Sequence, residues 1–103
     1  MTEVIFRYGA DASVEVSGHS GYAERGRDIV CASVSSICNC MMAVFCVLEG
    51  QGRCHSLCAR AEDGRFFLSF CGADGQACEV LASFELLLRN LEREFPQYLK
   101  VHP

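Results

Sequence analysis

The sequence predicts an α+β domain in two layers, in which an antiparallel sheet carries two helices on one of its faces. Two observations predict this class. Short runs with every second residue apolar come in pairs separated by turn residues, and each pair precedes a longer run with helical apolar spacing. The chain of 103 residues has the size of one domain, so we expect a single domain over 1–103. The expected order is ββαββα, with room for a short C-terminal strand.

The first quarter of the chain predicts a β-hairpin followed by a loop. Every second residue is apolar from Val4 to Tyr8 and again from Val14 to Val16, and turn residues lie between these runs. Residues 18–27 contain three glycines and no apolar period, which is typical of a mobile loop. Loops of this length often carry function.

Asp28 marks the expected start of the first helix. Aspartate is a good N-cap residue, and the apolar residues after it recur every three or four positions, as they do on one helix face: Val30, Val34, Ile37, Met41, Phe45 and Leu48. Gly50 is expected to end the helix. The pattern therefore predicts a helix that packs one face against the sheet.

The second half of the chain repeats this pattern. Residues 54–61 and 65–71 predict a second hairpin around a short polar turn. An apolar stripe from 74 to 95 predicts a second amphipathic helix, ended by Pro96, and 98–101 could add an edge strand. Because short hairpin connections favour an antiparallel sheet, both helices are expected on the same face of it.

Composition argues against several classes of protein. Nine Lys and Arg against 13 Asp and Glu leave a formal charge of −4, which gives no electrostatic basis for binding nucleic acid. The N-terminus has no basic segment before an apolar run, so we expect no secretory signal and a cytoplasmic protein. The longest apolar run, residues 37–48, is shorter than the roughly 20 residues that cross a bilayer, so we expect no membrane span.

Eight cysteines are many for this length. In a reducing cytosol most are expected to be small buried apolar residues, with one or two reactive. The main rival is a metal site, because soft ligands cluster in the second half: Cys54, His55, Cys58, Cys71 and Cys78. The spacing argues against it, since Cys54 and Cys58 on one strand would lie about 13 Å apart and no C-x-x-C occurs. We expect no metal and no other cofactor.

Nucleophilic chemistry fits the loop and the start of the first helix. Cys31 falls in the first helical turn, where unpaired N–H groups and the helix dipole favour a thiolate and could also serve an oxyanion. The loop that contains His19 returns to this helix, so His19 can approach Cys31 as a general base. Ser35, one turn later, could orient the imidazole or the substrate. Asp28 could cap the helix or hold the imidazolium, and capping is favoured.

The run G-H-S-G-Y-A-x-x-G-x-D-I-V-C-A-x-V-S, from Gly18 to Ser35, resembles the signature of the ribosomal-processing cysteine protease (Prp) family of Firmicutes and related bacteria. The ending from Phe95 to Val101, the length and the order of elements are also similar to that family, so the resemblance covers nearly the whole chain. It implies a cytosolic homodimer that removes a short N-terminal extension from a large-subunit ribosomal protein.

The resemblance also implies roles for single residues. The family's catalytic pair falls on His19 and Cys31, and its supporting residues fall on Asp28 and Ser35. The glycine-rich loop is expected to close over an extended peptide, with Tyr22 as a wall for apolar side chains; its substrate-loop residues are Gly18, Ser20, Gly21, Tyr22 and Gly26. The alternative that stays open is a non-enzymatic, ribosome-associated dimeric binding module, in which His19 would be a solvated loop residue.

Overall fold

The computed structural model describes residues 1–103 and has the expected order of elements, ββαββα and a short terminal strand. Five strands and two helices make up the chain: β1 (Thr2–Arg7), β2 (Asp11–Ser17), α1 (Ile29–Gly50), β3 (His55–Glu62), β4 (Arg65–Cys71), α2 (Gly75–Glu94) and β5 (Leu99–Val101). The predicted hairpins, helices and α+β class are confirmed.

The sheet differs from the expected one at one edge. Its strand order is β3-β4-β2-β1-β5. The pairs β1–β2, β2–β4 and β3–β4 are antiparallel, whereas β5 runs parallel to β1 and makes the sheet mixed. The reason is the connection: β5 follows α2 instead of a hairpin turn, and a crossover of that length can return a strand in the same direction as its neighbour.

One hydrophobic core lies between the sheet and the helices. Side chains alternate along the central strands between a buried face and a more exposed face. Val14 and Leu68, partners in the register of β2 and β4, are fully buried in the same cluster as Phe45 of α1 and Leu88 of α2. Burial of each such side chain contributes about 1.5–3 kcal/mol, so this layer accounts for much of the stability.

Helix α1 is the long core helix of this layer. It buries Val30, Val34, Cys38, Met41, Phe45 and Leu48. The expected stripe is confirmed except that Cys38 is buried where Ile37 is only half-buried. By length and composition α1 could cross a membrane, but a core helix passes the same test, and one face of α1 packs in the core.

Two connections meet at one end of the sheet and form the setting of the site: the loop between β2 and α1, and the β3–β4 turn. Ser17, the last residue of β2, pairs with Arg65, the first residue of β4. The backbone N–H of Gly18 donates to the carbonyl of Gly64 in the β3–β4 turn at 2.9 Å. The loop after β2 therefore starts beside this turn, and it leads directly to the first turn of α1.

Candidate active site

A cleft of about 610 Å³ lies between the start of α1, the loop at 18–27 and the β3–β4 turn. It brings together both members of the predicted catalytic pair, both predicted supporting residues and the three loop glycines: His19, Cys31, Asp28, Ser35, Gly18, Gly21 and Gly26. Ser20 and Tyr22 do not line it. A volume of this size accepts a few residues of an extended peptide.

Cys31 occupies the third position of α1, and its side chain is half-buried. The backbone N–H of Ser20 donates to the Cys31 sulfur at 3.3 Å. The Ser20 hydroxyl lies 3.5 Å from the same sulfur. The sulfur therefore has a backbone donor beside it and lies at the positive end of the α1 dipole.

Asp28 joins the loop to the helix. Its Oδ1 accepts from the backbone N–H of Cys31 at 2.9 Å, which is the expected N-cap bond. Its Oδ2 accepts from the Ser20 hydroxyl at 2.5 Å and from the backbone N–H of Tyr22 at 3.2 Å. Because loop and helix groups take both oxygens, Asp28 does not hold the His19 imidazolium here. The capping role is the one observed.

These contacts also set the ionisation of Asp28. Burial alone would raise the pKa of this carboxyl group, but hydrogen bonds from the Ser20 hydroxyl and from the backbone N–H groups of Cys31 and Ala23 outweigh burial. The pKa falls to about 2 from an ordinary value of 3.8. A lowered pKa in the folded state stabilises the protein above the unfolded value, and this stabilisation is lost as pH falls from about 4 towards 2.

We expect Asp28→Asn to lower protease activity by about tenfold, which corresponds to the loss of one hydrogen bond to a charged group. The asparagine keeps an oxygen for the Cys31 N–H, but its amide NH2 is a donor and can accept neither from the Ser20 hydroxyl nor from the Tyr22 N–H. Without the bond from its hydroxyl to residue 28, Ser20 is no longer held in the position from which its N–H donates to the Cys31 sulfur. The variant should also lose less stability than the parent chain between pH 4 and pH 2, measured by thermal unfolding at each pH.

Asp74→Asn is the matched control for this variant. Asp74 caps α2 in the same way, with Oδ1 accepting from the Ala77 N–H at 2.8 Å and Oδ2 bonded to Arg53 at 3.0 Å. Hydrogen bonding also lowers its pKa. It lies away from the cleft, so its variant should lose stability without a tenfold loss of activity. Equal activity losses in both variants would contradict the anchoring role of Asp28.

The His19 imidazole lies against Gly64 of the β3–β4 turn. Both close polar contacts of the Cys31 sulfur are with Ser20, so the His19–Cys31 pair is not closed by a hydrogen bond in this form. Catalytic hydrogen bonds are often long or open in a free enzyme and tighten when substrate binds. His19 and Cys31 do border the same cleft, as the sequence predicts.

Tyr22 has a different place from the one expected. Its ring makes edge contacts with Phe95 and Tyr98, at centroid distances of 5.5 and 5.2 Å. This aromatic cluster holds the ring against the C-terminal segment, so Tyr22 does not form a wall of the cleft. Tyr22 remains 40% exposed, whereas Ser20 is only 3% exposed. Contacts of Ser20 and of the Tyr22 ring therefore anchor the loop, and every residue from 18 to 27 except Ser20 is exposed.

Ser35 lines the cleft one turn after Cys31 and is exposed. Sequence reasoning missed the opposite wall, which the β3–β4 turn supplies with Glu62, Asp63, Gly64 and Arg65. The sequence marks this segment only as a turn, and no local pattern says that it faces a loop far back in the chain. An ion pair joins Arg25 to Asp63 across the cleft at 3.4 Å, but both side chains are largely exposed, so it contributes little stability.

The expectation that most cysteines are buried is wrong, because only Cys38 and Cys54 are buried and four of the eight are exposed: Cys40, Cys46, Cys58 and Cys78. Burial raises the pKa of Cys38 to about 12, and burial, with the nearby Glu49 and Asp74 carboxylates, raises the pKa of Cys54. Both thiols therefore stay protonated at neutral pH. No three His, Cys, Asp or Glu side chains gather closely enough to hold a metal ion. His55 is exposed, and His102 pairs with Glu3 at 3.1 Å.

Comparison with solved structures finds the same fold elsewhere. The chain is similar to the essential ribosomal processing protease Prp from S. aureus in complex with a covalently linked product peptide, at 20% identity over 99% of this chain and 98% of that one, with a TM-score of 0.79. The same protease with a substrate peptide gives a TM-score of 0.66 at the same identity and coverage. SMU.848 from Streptococcus mutans is 29% identical over 98% of this chain and 91% of that one, with a TM-score of 0.66.

Comparison with sequence families identifies the family as well as the fold. No curated protein gives a significant match. The family model described as cysteine protease Prp matches residues 1–100, which is nearly the whole chain. A match of that extent, on a fold that carries a half-buried cysteine and a histidine in one cleft, identifies the family. The chain belongs to the cysteine protease Prp family.

Proposed function

We propose that this cysteine protease is an endopeptidase that removes a short N-terminal extension from a large-subunit ribosomal protein, with the Cys31 thiolate as nucleophile and His19 as general base. The observation that carries the proposal is the setting of the Cys31 sulfur. It lies in the first turn of α1, receives a backbone N–H from Ser20, and borders the same cleft as His19. A nucleophilic thiol needs these features.

The reaction follows from these groups. His19 takes the proton of the Cys31 thiol, and the sulfur attacks the carbonyl carbon of the scissile peptide bond. The tetrahedral intermediate collapses as the imidazolium gives its proton to the leaving amine, which leaves an acyl group bound to sulfur as a thioester. Water then attacks the thioester carbonyl, with His19 again taking a proton, and releases the carboxylic acid and the free thiol.

The oxyanion of the intermediate needs a donor close to the sulfur. The sequence predicts amides of the helix start as donors, but the N–H of Cys31 is bonded to Asp28. The Ser20 N–H is the backbone donor at the sulfur in this form, and Asp28 fixes Ser20 through its hydroxyl. This arrangement favours Ser20 as an oxyanion donor once acylation has begun.

A peptide substrate is supported by the relatives and by the cleft. The S. aureus protease has been crystallised with a substrate peptide and with a covalently linked product peptide. The cleft of this chain is open at the surface and about 610 Å³ in volume, which suits an extended segment and not a folded one. A flexible N-terminal extension has that form.

The proposal is tested on ribosomal proteins encoded in the same genome. The purified chain is incubated with each large-subunit protein that carries an N-terminal extension, and intact masses are recorded over time. We expect one substrate to lose its extension through a single cut, with no cleavage in the folded part. Absence of cleavage in every extended protein, by a chain that still cuts an unstructured test peptide, would contradict the proposed substrate.

The homodimer and the cytoplasmic location implied by the family resemblance are also proposals. The exposed side of α1 supports the dimer, because it presents Ile29, 52% exposed, and Val47, 59% exposed, and the helix has only one charged residue, Glu49. Exposed apolar surface of this kind is common where two chains meet. Light scattering of the purified chain gives its mass in solution and tests the dimer directly.

A further inference from the structure

The β3–β4 turn is in contact with His19. A Cβ atom added to Gly64 would lie 2.9 Å from Nε2 of His19, 3.3 Å from its Cε1 and 3.5 Å from its Cδ2. The imidazole thus occupies the space that any side chain at position 64 would need. The hydrogen bond from the Gly18 N–H to the Gly64 carbonyl, at 2.9 Å, holds the residue before His19 to the same turn.

We propose that Gly64 is a positioning residue for His19, an inference that rests on the general-base role proposed above. The glycine gives the imidazole a flat surface to lie on at the mouth of the cleft. It acts through His19 and does not itself touch the reacting atoms.

Turn geometry alone does not account for this contact. Gly64 has a φ of +72°, which favours glycine, and Gly52 and Gly72 have φ values of +75° and +59°. A Cβ at Gly52 would meet nothing within 4 Å, and one at Gly72 would lie 3.0 Å from Cδ2 of His55, outside the cleft. All three glycines have a positive φ, but only at Gly64 does His19 occupy the space that a Cβ atom would need.

A side chain at position 64 would displace the imidazole more readily than the turn. The turn is fixed by the strand register, in which Glu62 pairs with Arg65, and by the Gly18 hydrogen bond. The ring is the far end of a rotatable side chain. A general base must come within about 3 Å of the proton that it takes, and a misplacement of about 1 Å can cost on the order of 10²-fold in rate. The expected effect of such a side chain is therefore on catalysis.

The first experiment compares Gly64→Ala and Gly64→Asn with Gly52→Ala and Gly72→Ala. The asparagine variant adds a side chain but tolerates positive φ better than alanine does, so it separates folding strain from displacement of His19. With the unstructured test peptide that the parent chain cuts, both Gly64 variants should lower kcat by about 10- to 100-fold with KM nearly unchanged. The Gly52 and Gly72 variants should lose a similar amount of Tm and keep kcat near the parent value.

The closing experiment repeats Gly64→Ala in a His19→Ala background. If Gly64 acts through His19, its substitution lowers kcat of the parent enzyme but leaves the residual rate of the His19→Ala chain unchanged. The same fold-loss in both backgrounds would show a general structural role and overturn the inference while the dyad stands. A His19→Ala chain as active as the parent would overturn the general-base role, and the inference with it.

Discussion

Replacing Cys31 by alanine is expected to lower kcat/KM by at least about 10³-fold. The substitution removes the sulfur that forms the thioester, and no other thiol borders the reacting position in the same way. Cys38 also lies along the cleft, but its side chain is buried and its raised pKa of about 12 keeps it protonated. The measurement is cleavage of the unstructured test peptide at saturating and at low concentration.

The fold should survive this change, because Cys31 is only half-buried and loses one atom. Cys46→Ala is the matched control, since Cys46 is a thiol on the same helix, exposed and away from the cleft. It should retain the parent activity, and both variants should unfold within a few degrees of the parent chain. A Cys31→Ala chain that cuts near the parent rate would refute the proposed nucleophile.

Replacing His19 by alanine is expected to lower kcat by about 10²-fold or more, the usual contribution of a positioned general base. The loss should be largest near neutral pH, since hydroxide replaces the missing base as pH rises. The pH–rate profile should therefore lose the limb that reports the imidazole, which no purely structural loss would remove.

His55→Ala supplies the control for this change. His55 is exposed and lies against Gly72 much as His19 lies against Gly64, but it does not border the cleft. Its loss should leave kcat and the pH–rate profile unchanged. A His19→Ala profile with the shape of the parent profile would remove His19 from the mechanism.

Much of the fold is readable in the sequence because local patterns determine it. Alternating apolar residues from Val4 and around Leu68, and the stripe from Val30 to Leu48, each match the face that the core buries. The parallel pairing of β5 is not readable in this way, since it depends on where α2 leads the chain. Leu87 is similar: it continues the apolar stripe of α2 but is 46% exposed, because the face that α2 buries is the one with Leu81, Phe84 and Leu88, and Leu87 lies to the side of it.

The site is predictable to the extent that it is contiguous in sequence. His19, Asp28, Cys31 and Ser35 fall within one motif, and the structure places them at one cleft. The contact of His19 with Gly64 is long-range and follows from the pairing of β2 with β4, which no local pattern reveals. The position of Tyr22 is unpredictable for the same reason, because the aromatic rings that it contacts, Phe95 and Tyr98, lie far away in the sequence.

A non-enzymatic binding module is the alternative that the sequence leaves open. The family match over residues 1–100 assigns the chain to cysteine proteases and rules against that alternative. The arrangement around Cys31 agrees with a working nucleophile, because a binding module has no need of a backbone donor aimed at a thiol sulfur. The identity of the nucleophile is thus the central point of the account.

Competition among the eight cysteines for a limiting amount of isotope-labelled iodoacetamide tests that point most directly, since it needs no knowledge of the substrate. The folded chain is labelled near pH 7.5, quenched, unfolded and labelled again with the second isotope, and each cysteine is quantified by peptide mapping. Cys31 should react at least about tenfold faster than the exposed thiols Cys40, Cys46, Cys58 and Cys78, although it is less exposed than they are. Labelling that follows exposure alone, with Cys31 slower than these four, would contradict the proposed nucleophile.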